Sequence, residues 1–148
     1  NLRPGTVADY ELKPGLTISS LGHGSGMLGL PGDFTAPSRF VRAAFFQSTA
    51  PEQACGFDAV VQAFHILNNF DIPIGVQCAR NEVPEGLPSA TQFTAATDLK
   101  SLKIYYRTVW NSNIRCIDLM DIDFHKVKYQ QHPLDQVMRQ PVEMIRIR

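Results

Sequence analysis

The clearest pattern along the chain is an apolar stripe with helical spacing. Five apolar residues stand at i, i+3, i+4, i+7 and i+10, so they share one face of a helix. Ser48 or Thr49 suits the N-cap of this helix, and Pro51 suits its first turn. Pro73 stops the pattern, because the residue before a proline is pushed out of the helical region. We therefore expect one buried helix face, made of Phe57, Val60, Val61, Phe64 and Leu67.

A shorter helix is predicted before this one, behind a glycine-rich stretch. Five of the ten glycines fall within residues 21–32, which is the composition of a loop. Thr35 can cap the helix that follows, and Pro37 suits its first turn. Apolar residues at helical spacing then continue to about Gln47.

From residue 91 onward the period changes from 3.6 to 2. Residues 91–97, 103–110 and 114–119 are β-branched and aromatic runs, separated by segments short enough for hairpins. They predict a three-stranded antiparallel meander. Two helices before such a sheet indicate the α+β class, with the helices on one face of the sheet. A further terminal strand is suggested by Val142, Met144, Ile145 and Ile147.

Composition narrows the range of partners. The 148 residues suffice for one domain, and 14 basic side chains balance 14 acidic ones. This balance argues against a nucleic-acid partner. No apolar run approaches the roughly 18 residues of a membrane span, so no membrane partner is expected either. The three cysteines, Cys55, Cys78 and Cys116, are too few for a disulfide scaffold and too far apart for a CxxC motif.

Two motifs invite a cofactor or metal interpretation. Residues 24–29 match GxGxxG, but Pro31 and Gly32 exclude the helix that a dinucleotide site needs at that point. Acidic residues and a histidine cluster near residue 120, where the favoured interpretation is a solvated polar strand end rather than a metal site. We therefore predict no metal and no cofactor. The members of that cluster are Asp118, Asp121, Asp123 and His125.

Several motifs in a fixed order carry a resemblance to a known family. In order and spacing they are similar to the C-terminal part of the choloylglycine hydrolase family, which contains penicillin V acylases and bile salt hydrolases. The motifs are GMLGLPGDFTAPSRFVRAA (26–44), FHILNNFDIPIGV (64–76), ATQFT (90–94), IYYRT (104–108) and NIRCIDL (113–119).

The resemblance implies an N-terminal nucleophile hydrolase with a four-layer αββα sandwich of antiparallel sheets. In the family, an N-terminal cysteine attacks the amide, its own α-amino group serves as the base, and the reaction passes through a thioester. The first residue here is Asn1, so the nucleophile and the oxyanion-hole asparagine are expected in an N-terminal portion outside this chain. Residues 1–148 are accordingly interpreted as the C-terminal portion of one domain, inactive alone, with that N-terminal portion as its partner.

The family's arginine after the LPGD loop falls on Arg39. A permanent cation at the start of a helix can stabilise a thiolate and orient an acyl carbonyl, so Arg39 is the predicted catalytic residue. Arg42, one turn later, is expected to be structural. Met27, Leu28 and Leu30 in the glycine-rich loop are expected to line the substrate pocket.

The function implied is hydrolysis of a non-peptide amide C–N bond in a small molecule, in a bacterial cytoplasm or periplasm and by a homo-oligomer. The substrate is expected to be penicillin V, a conjugated bile salt or an acyl-homoserine lactone, and the form of the loop is closest to that of penicillin V acylases. The alternative is a non-catalytic binding or structural domain that retains the half-fold. Cys55 at the start of the second helix is not expected to act as a nucleophile, because no base can be assigned to it.

Overall fold

The computed structural model describes residues 2–20, 22–77, 82, 85–86, 90–128 and 135–147. The chain divides into two compact units, Asn1–Glu52 and Gln53–Arg148. Helices and antiparallel strands occur in both, as expected of the α+β class. Cys78 and most of residues 79–89, which are expected to form a loop, lie outside the described residues.

The first unit begins with a hairpin that the sequence pattern did not predict. Strands β1 (Tyr10–Lys13) and β2 (Leu16–Ile18) pair antiparallel, and Gly15 in the turn between them has φ of 80°. A residue other than glycine is strained at that angle. The sequence does contain a turn signature here, the pair Pro14 and Gly15. This pair stands between two short segments in which apolar and polar residues alternate. All residues of both strands are exposed.

Helix α1 (Ala36–Thr49) ends two residues later than predicted. The hydroxyl of Ser48 donates to the carbonyl of Phe45 at 2.8 Å, and that of Thr49 donates to the same carbonyl at 3.0 Å. Ser48 and Thr49 therefore complete the last turn of α1, and the prediction that one of them caps the next helix is wrong. The backbone turns extended at Ala50, as expected before a proline.

The second unit begins with helix α2 (Gly56–Leu67), which starts later than the sequence predicted. Cys55 is its N-cap rather than a first-turn residue, and its sulfur accepts from the backbone N–H of Asp58 at 3.5 Å. Pro51 lies outside the helix. A 3-10 turn (Asn68–Phe70) continues α2, and the chain is extended before Pro73.

The predicted meander is present as strands β3 (Phe93–Asp98), β4 (Lys103–Thr108) and β5 (Asn111–Asp118). The order is β3-β4-β5, with every neighbouring pair antiparallel. The β3–β4 turn is organised by Asp98, whose carboxylate accepts from the backbone N–H of Lys100 at 2.9 Å and of Ser101 at 3.1 Å. A short 3-10 turn (Leu119–Asp121) follows β5.

The apolar core of the second unit is formed by Val60, Phe64 and Ile72. Val61 and Leu67 are half-buried, but Phe57 is 57% exposed, so its place in the buried stripe is wrong. Phe57 lies in the first turn, and its ring is 6.4 Å from that of Tyr105 on β4, measured between ring centroids.

The terminal strand suggested by the apolar residues of 141–147 is also absent. The described residues of that segment have no strand geometry and are exposed, with Ile147 at 96%. A strand forms only where its N–H and C=O groups pair with a neighbour, and alternation of side chains alone does not supply one. Among the described residues, no helix has both the length and the apolarity needed to cross a bilayer.

Candidate functional site

The glycine-rich loop of the first unit has a defined shape. It contains a 3-10 turn (Ser25–Met27) that begins after Gly24 at φ of 85°, and φ is also positive at Gly22 (94°) and Gly29 (91°). Leu28 is 76% exposed, while Met27 and Leu30 are less so. The backbone N–H of Leu30 donates to the carbonyl of Met27 at 2.9 Å. The three residues predicted to line a substrate pocket therefore lie together on this loop.

Gly26 sits where the loop touches the beginning of the chain. Its carbonyl accepts from the backbone N–H of Arg3 at 3.0 Å, and its N–H donates to the carbonyl of Gly5 at 3.1 Å. A Cβ on Gly26 would lie 2.3 Å from the carbonyl oxygen of Arg3. Gly26 is thus required for close backbone approach, a second use of glycine beside positive φ.

Asp33 organises the junction between the loop and α1. One of its carboxylate oxygens accepts from the backbone N–H of Thr35 at 2.9 Å and from the Thr35 hydroxyl at 2.5 Å. The other accepts from the Ser38 hydroxyl at 2.6 Å. These bonds, that of Ser38 foremost, lower the pKa of Asp33 from 3.8 to about 2. Thr35 occupies the N-cap position as predicted, although its hydroxyl serves Asp33 instead of the helix N–H groups.

Arg42 ties the loop to α1. Its side chain is buried, with only 6% of the residue exposed. One guanidinium nitrogen, Nη1, donates to the carbonyls of Pro31 and Asp33, both at 2.7 Å. Arg42 therefore has the structural role expected from the sequence.

Arg39, the predicted catalytic residue, is exposed on the first turn of α1. Its backbone N–H donates to the carbonyl of Thr35 at 3.0 Å, which is a helix bond. Within the part of the chain that the structure describes, no carboxylate pairs with its guanidinium. Arg39 is therefore a surface arginine, as its bland interpretation expects, and it is not paired with a carboxylate among these residues. Arg39 offers five N–H donors to a ligand.

In the acidic cluster near residue 120, Asp118 and Asp123 bond to nearby backbone N–H groups and to lysines. Asp118 accepts from the backbone N–H of Met120 at 3.0 Å and lies 3.2 Å from the Nζ atom of Lys103. These two contacts, that of Met120 first, lower its pKa. Asp123 pairs with Lys126 at 2.8 Å, which lowers the pKa of its carboxyl as well. No group of three metal-ligating side chains occurs among residues 2–20, 22–77, 90–128 and 135–147.

The second unit contains an open cavity of about 250 Å³ that the sequence did not predict. Arg107 on its wall pairs with Asp71 at 2.6 Å and lies 5.7 Å from the ring centroid of Phe64. The Thr94 hydroxyl donates to the other oxygen of Asp71 at 3.3 Å. This ion pair joins the segment after α2 to the sheet.

Residues 1–132 of the chain match the sequence model of the choloylglycine hydrolase family, which comprises linear amide C–N hydrolases. It is 33% identical over 129 residues to a bile salt hydrolase/transferase of Clostridium perfringens, covering 86% of this chain and 38% of that protein. It is 38% identical over 106 residues to an uncharacterized protein of Paramecium bursaria Chlorella virus 1, covering 71% of this chain and 38% of that protein. The chain thus spans about two fifths of the length of these relatives.

Two solved structures share the fold. A variant of the conjugated bile acid hydrolase of Clostridium perfringens aligns over 98% of this chain and 42% of its own, at 27% identity and a TM-score of 0.74. Penicillin V acylase of Agrobacterium tumefaciens aligns over 66% of this chain and 30% of its own, at 26% identity and a TM-score of 0.53. The predicted α+β fold of N-terminal nucleophile hydrolase type is confirmed by these likenesses. The chain belongs to the choloylglycine hydrolase family of linear amide C–N hydrolases.

Proposed function

We propose that this chain is part of an enzyme that hydrolyses the amide C–N bond of a small molecule, with Arg39 in its active site. The observation that carries the proposal is the family match over residues 1–132, which includes the loop and the first turn of α1. Arg39 supports it chemically, since an exposed guanidinium without a carboxylate partner among the described residues is available to an anion.

The nucleophile in this proposal is an N-terminal cysteine supplied by a segment outside these 148 residues. Its thiolate attacks the amide carbon, and the α-amino group of the same cysteine takes the thiol proton and delivers it to the departing amine. Water then hydrolyses the thioester and releases the acid. Neither Cys55 nor Cys116 is assigned this role. Neither has a free α-amino group to serve as the base, and Cys55 is used as a helix cap.

In this scheme Arg39 stabilises the negative charges that the reaction needs. Its guanidinium favours the thiolate over the thiol and donates to the acyl oxygen as negative charge develops there. Met27, Leu28 and Leu30 supply apolar contact to the acyl part of the substrate, and the exposure of Leu28 supports this role.

The names of the relatives support a proposal for the substrate class. Relatives named as bile salt hydrolases and a fold neighbour named as a penicillin V acylase support a bulky acyl group on an amide.

We propose that the active species is a homo-oligomer, because the β1–β2 hairpin leaves Tyr10, Leu12 and Ile18 exposed. A two-stranded hairpin is only marginally stable in water by itself.

The test is hydrolysis by a protein that carries both this chain and the N-terminal cysteine segment. Phenoxymethylpenicillin, glycocholate and a long-chain acyl-homoserine lactone are compared by the amount of amine released. Hydrolysis of at least one supports the proposal. If none is hydrolysed, the non-catalytic alternative holds.

Arg39→Lys is the sharpest variant in that enzyme. It is expected to fold normally and to lose kcat by roughly a hundred- to a thousand-fold, because an ammonium does not reproduce the planar set of donors. Arg146→Lys, an exposed arginine in the terminal segment, is the matched control and should keep full activity. Cys55→Ser should also turn over normally. An active Arg39→Lys together with an inactive Cys55→Ser would refute this assignment of roles.

A further inference from the structure

We propose that Asp33 and Arg42 are positioning residues, which hold the glycine-rich loop and Arg39 together as one rigid piece. The inference rests on the proposed function, in which Arg39 and the loop both face the substrate. It adds two residues that act through Arg39 and never touch the reacting atoms.

Asp33 fixes the point where the loop becomes a helix. Its carboxylate accepts three hydrogen bonds, two from Thr35 and one from Ser38. Thr35 is the residue whose carbonyl receives the N–H of Arg39. A carboxylate at the N-terminus of a helix is also stabilised by the partial positive charge of that terminus. Asp33 thereby sets the starting direction of the turn that bears Arg39.

Arg42 fixes the same junction from the helix side. It lies three residues after Arg39, and its Nη1 reaches back to the carbonyls of Pro31 and Asp33 at 2.7 Å each. These two carbonyls lie on either side of Gly32, so one buried guanidinium holds the end of the loop to the helix. Hydrogen bonds from a charged donor are about twice as strong as neutral ones.

The two devices leave the loop little freedom relative to α1. Ser38, which bonds Asp33, is itself buried, and the loop is also held at Gly26 by Arg3 and Gly5. Arg39 stays exposed and spends no described side-chain bond on the junction. A catalytic group misplaced by about 1 Å can cost 100-fold in rate, so a rigid support has kinetic value.

The test is a double-mutant cycle in the complete enzyme. Asp33→Ala is expected to lower kcat about tenfold or more with a small change in KM, since the substrate still meets the same loop side chains. In an Arg39→Lys background the same change should cost less than about threefold, because its effect passes through Arg39. Equal losses in both backgrounds would overturn the proposal.

Conservative variants separate positioning from a loss of folding. Asp33→Asn keeps an oxygen for Thr35 and should retain most of the activity that Asp33→Ala loses. Arg42→Lys should exceed Arg42→Met in kcat, because an ammonium can still donate to one of the two carbonyls. Asp121→Ala, an exposed aspartate of the other unit, is the matched control and should leave kcat unchanged. If Asp33→Asn and Asp33→Ala are equally impaired, hydrogen-bond geometry is not the cause and the proposal fails.

A readout without turnover keeps this proposal distinct from the proposed function. Amide hydrogen exchange over residues 34–42 should be faster in Asp33→Ala than in the wild type, while exchange over the β3–β5 sheet stays the same. Unchanged exchange over residues 34–42 would overturn the positioning role, whatever the activity. If the wild type hydrolyses no amide, the proposed function fails, and exchange alone decides whether the junction is held as inferred.

Discussion

The two compact units of the chain bury different kinds of residue. In the described part of Asn1–Glu52 the buried residues are Gly26, Ser38 and Arg42, none of them apolar and large. In the described part of Gln53–Arg148 they are Val60, Phe64, Ile72 and Asn111.

The difference shows two ways of holding backbone in place. Around α2, side chains leave water and the hydrophobic effect stabilises the contact without regard to direction. Around the glycine-rich loop, hydrogen bonds fix direction, and each buried polar group has to meet its partner. A region that must present a guanidinium and a loop with defined geometry is suited to the second way.

The largest loss of stability is expected at Phe64, the most buried apolar residue of α2, at 3% exposure. Phe64→Ala is expected to lower the free energy of unfolding by about 3–5 kcal/mol, through lost burial and the cavity left behind. Asp58→Ala, on the exposed side of the same helix, should change it by no more than about 0.5 kcal/mol. Urea denaturation of both variants is the measurement, and equal shifts would show that the buried face is wrongly assigned.

A smaller effect is expected in the first unit at Gly26. Gly26→Ala places a methyl group 2.3 Å from the carbonyl oxygen of Arg3, so backbone has to move, at about 1–3 kcal/mol. Gly32→Ala meets nothing within 4 Å and has no positive φ, so it should be neutral within about 0.5 kcal/mol. Thermal unfolding of the two variants side by side checks this. A harmless Gly26→Ala would mean that the loop does not rest on residues 3–5.

The smallest expected effect is the pH dependence of the Asp33 junction. Its pKa of about 2 lies below the ordinary 3.8, so its hydrogen bonds favour the folded state above pH 3.8. That contribution is lost as the pH falls from about 4 to 2, where the folded carboxylate is protonated. The difference in unfolding midpoint between wild type and Asp33→Asn should therefore shrink between pH 5 and pH 2.5. A constant difference would assign the stabilisation to something other than ionised Asp33.

The sequence predicted what depends on periodic burial. Helix α2, its buried Val60 and Phe64, and the meander all follow from spacing, since repeated apolar positions report which face meets the core. Spacing failed at the ends. Cys55 caps α2 although cysteine is not a usual cap, and Phe57 extends the apolar period into a turn that the core does not reach.

The candidate site was predictable only in part. Arg39 was identified through a resemblance in motif. The sequence alone predicted neither its exposure nor the lack of a carboxylate partner among the described residues. The bonds around Asp33 were missed, although a short polar side chain two residues before Thr35 is a turn signal. The β1–β2 hairpin was missed because its strands are exposed on both faces and leave no buried pattern.

The contact between residues 3–7 and the loop has a consequence for where the protein can be cut. The first strand begins only at Tyr10, so a boundary chosen by secondary structure would discard the preceding residues as a tail. That deletion would remove the N–H of Arg3, the carbonyl of Gly5 and the N–H that Val7 donates to the Ser25 hydroxyl. A truncation or proteolytic nick near residue 8 would therefore loosen a loop some twenty positions away in sequence, while the α-helices and strands that the structure describes remained intact.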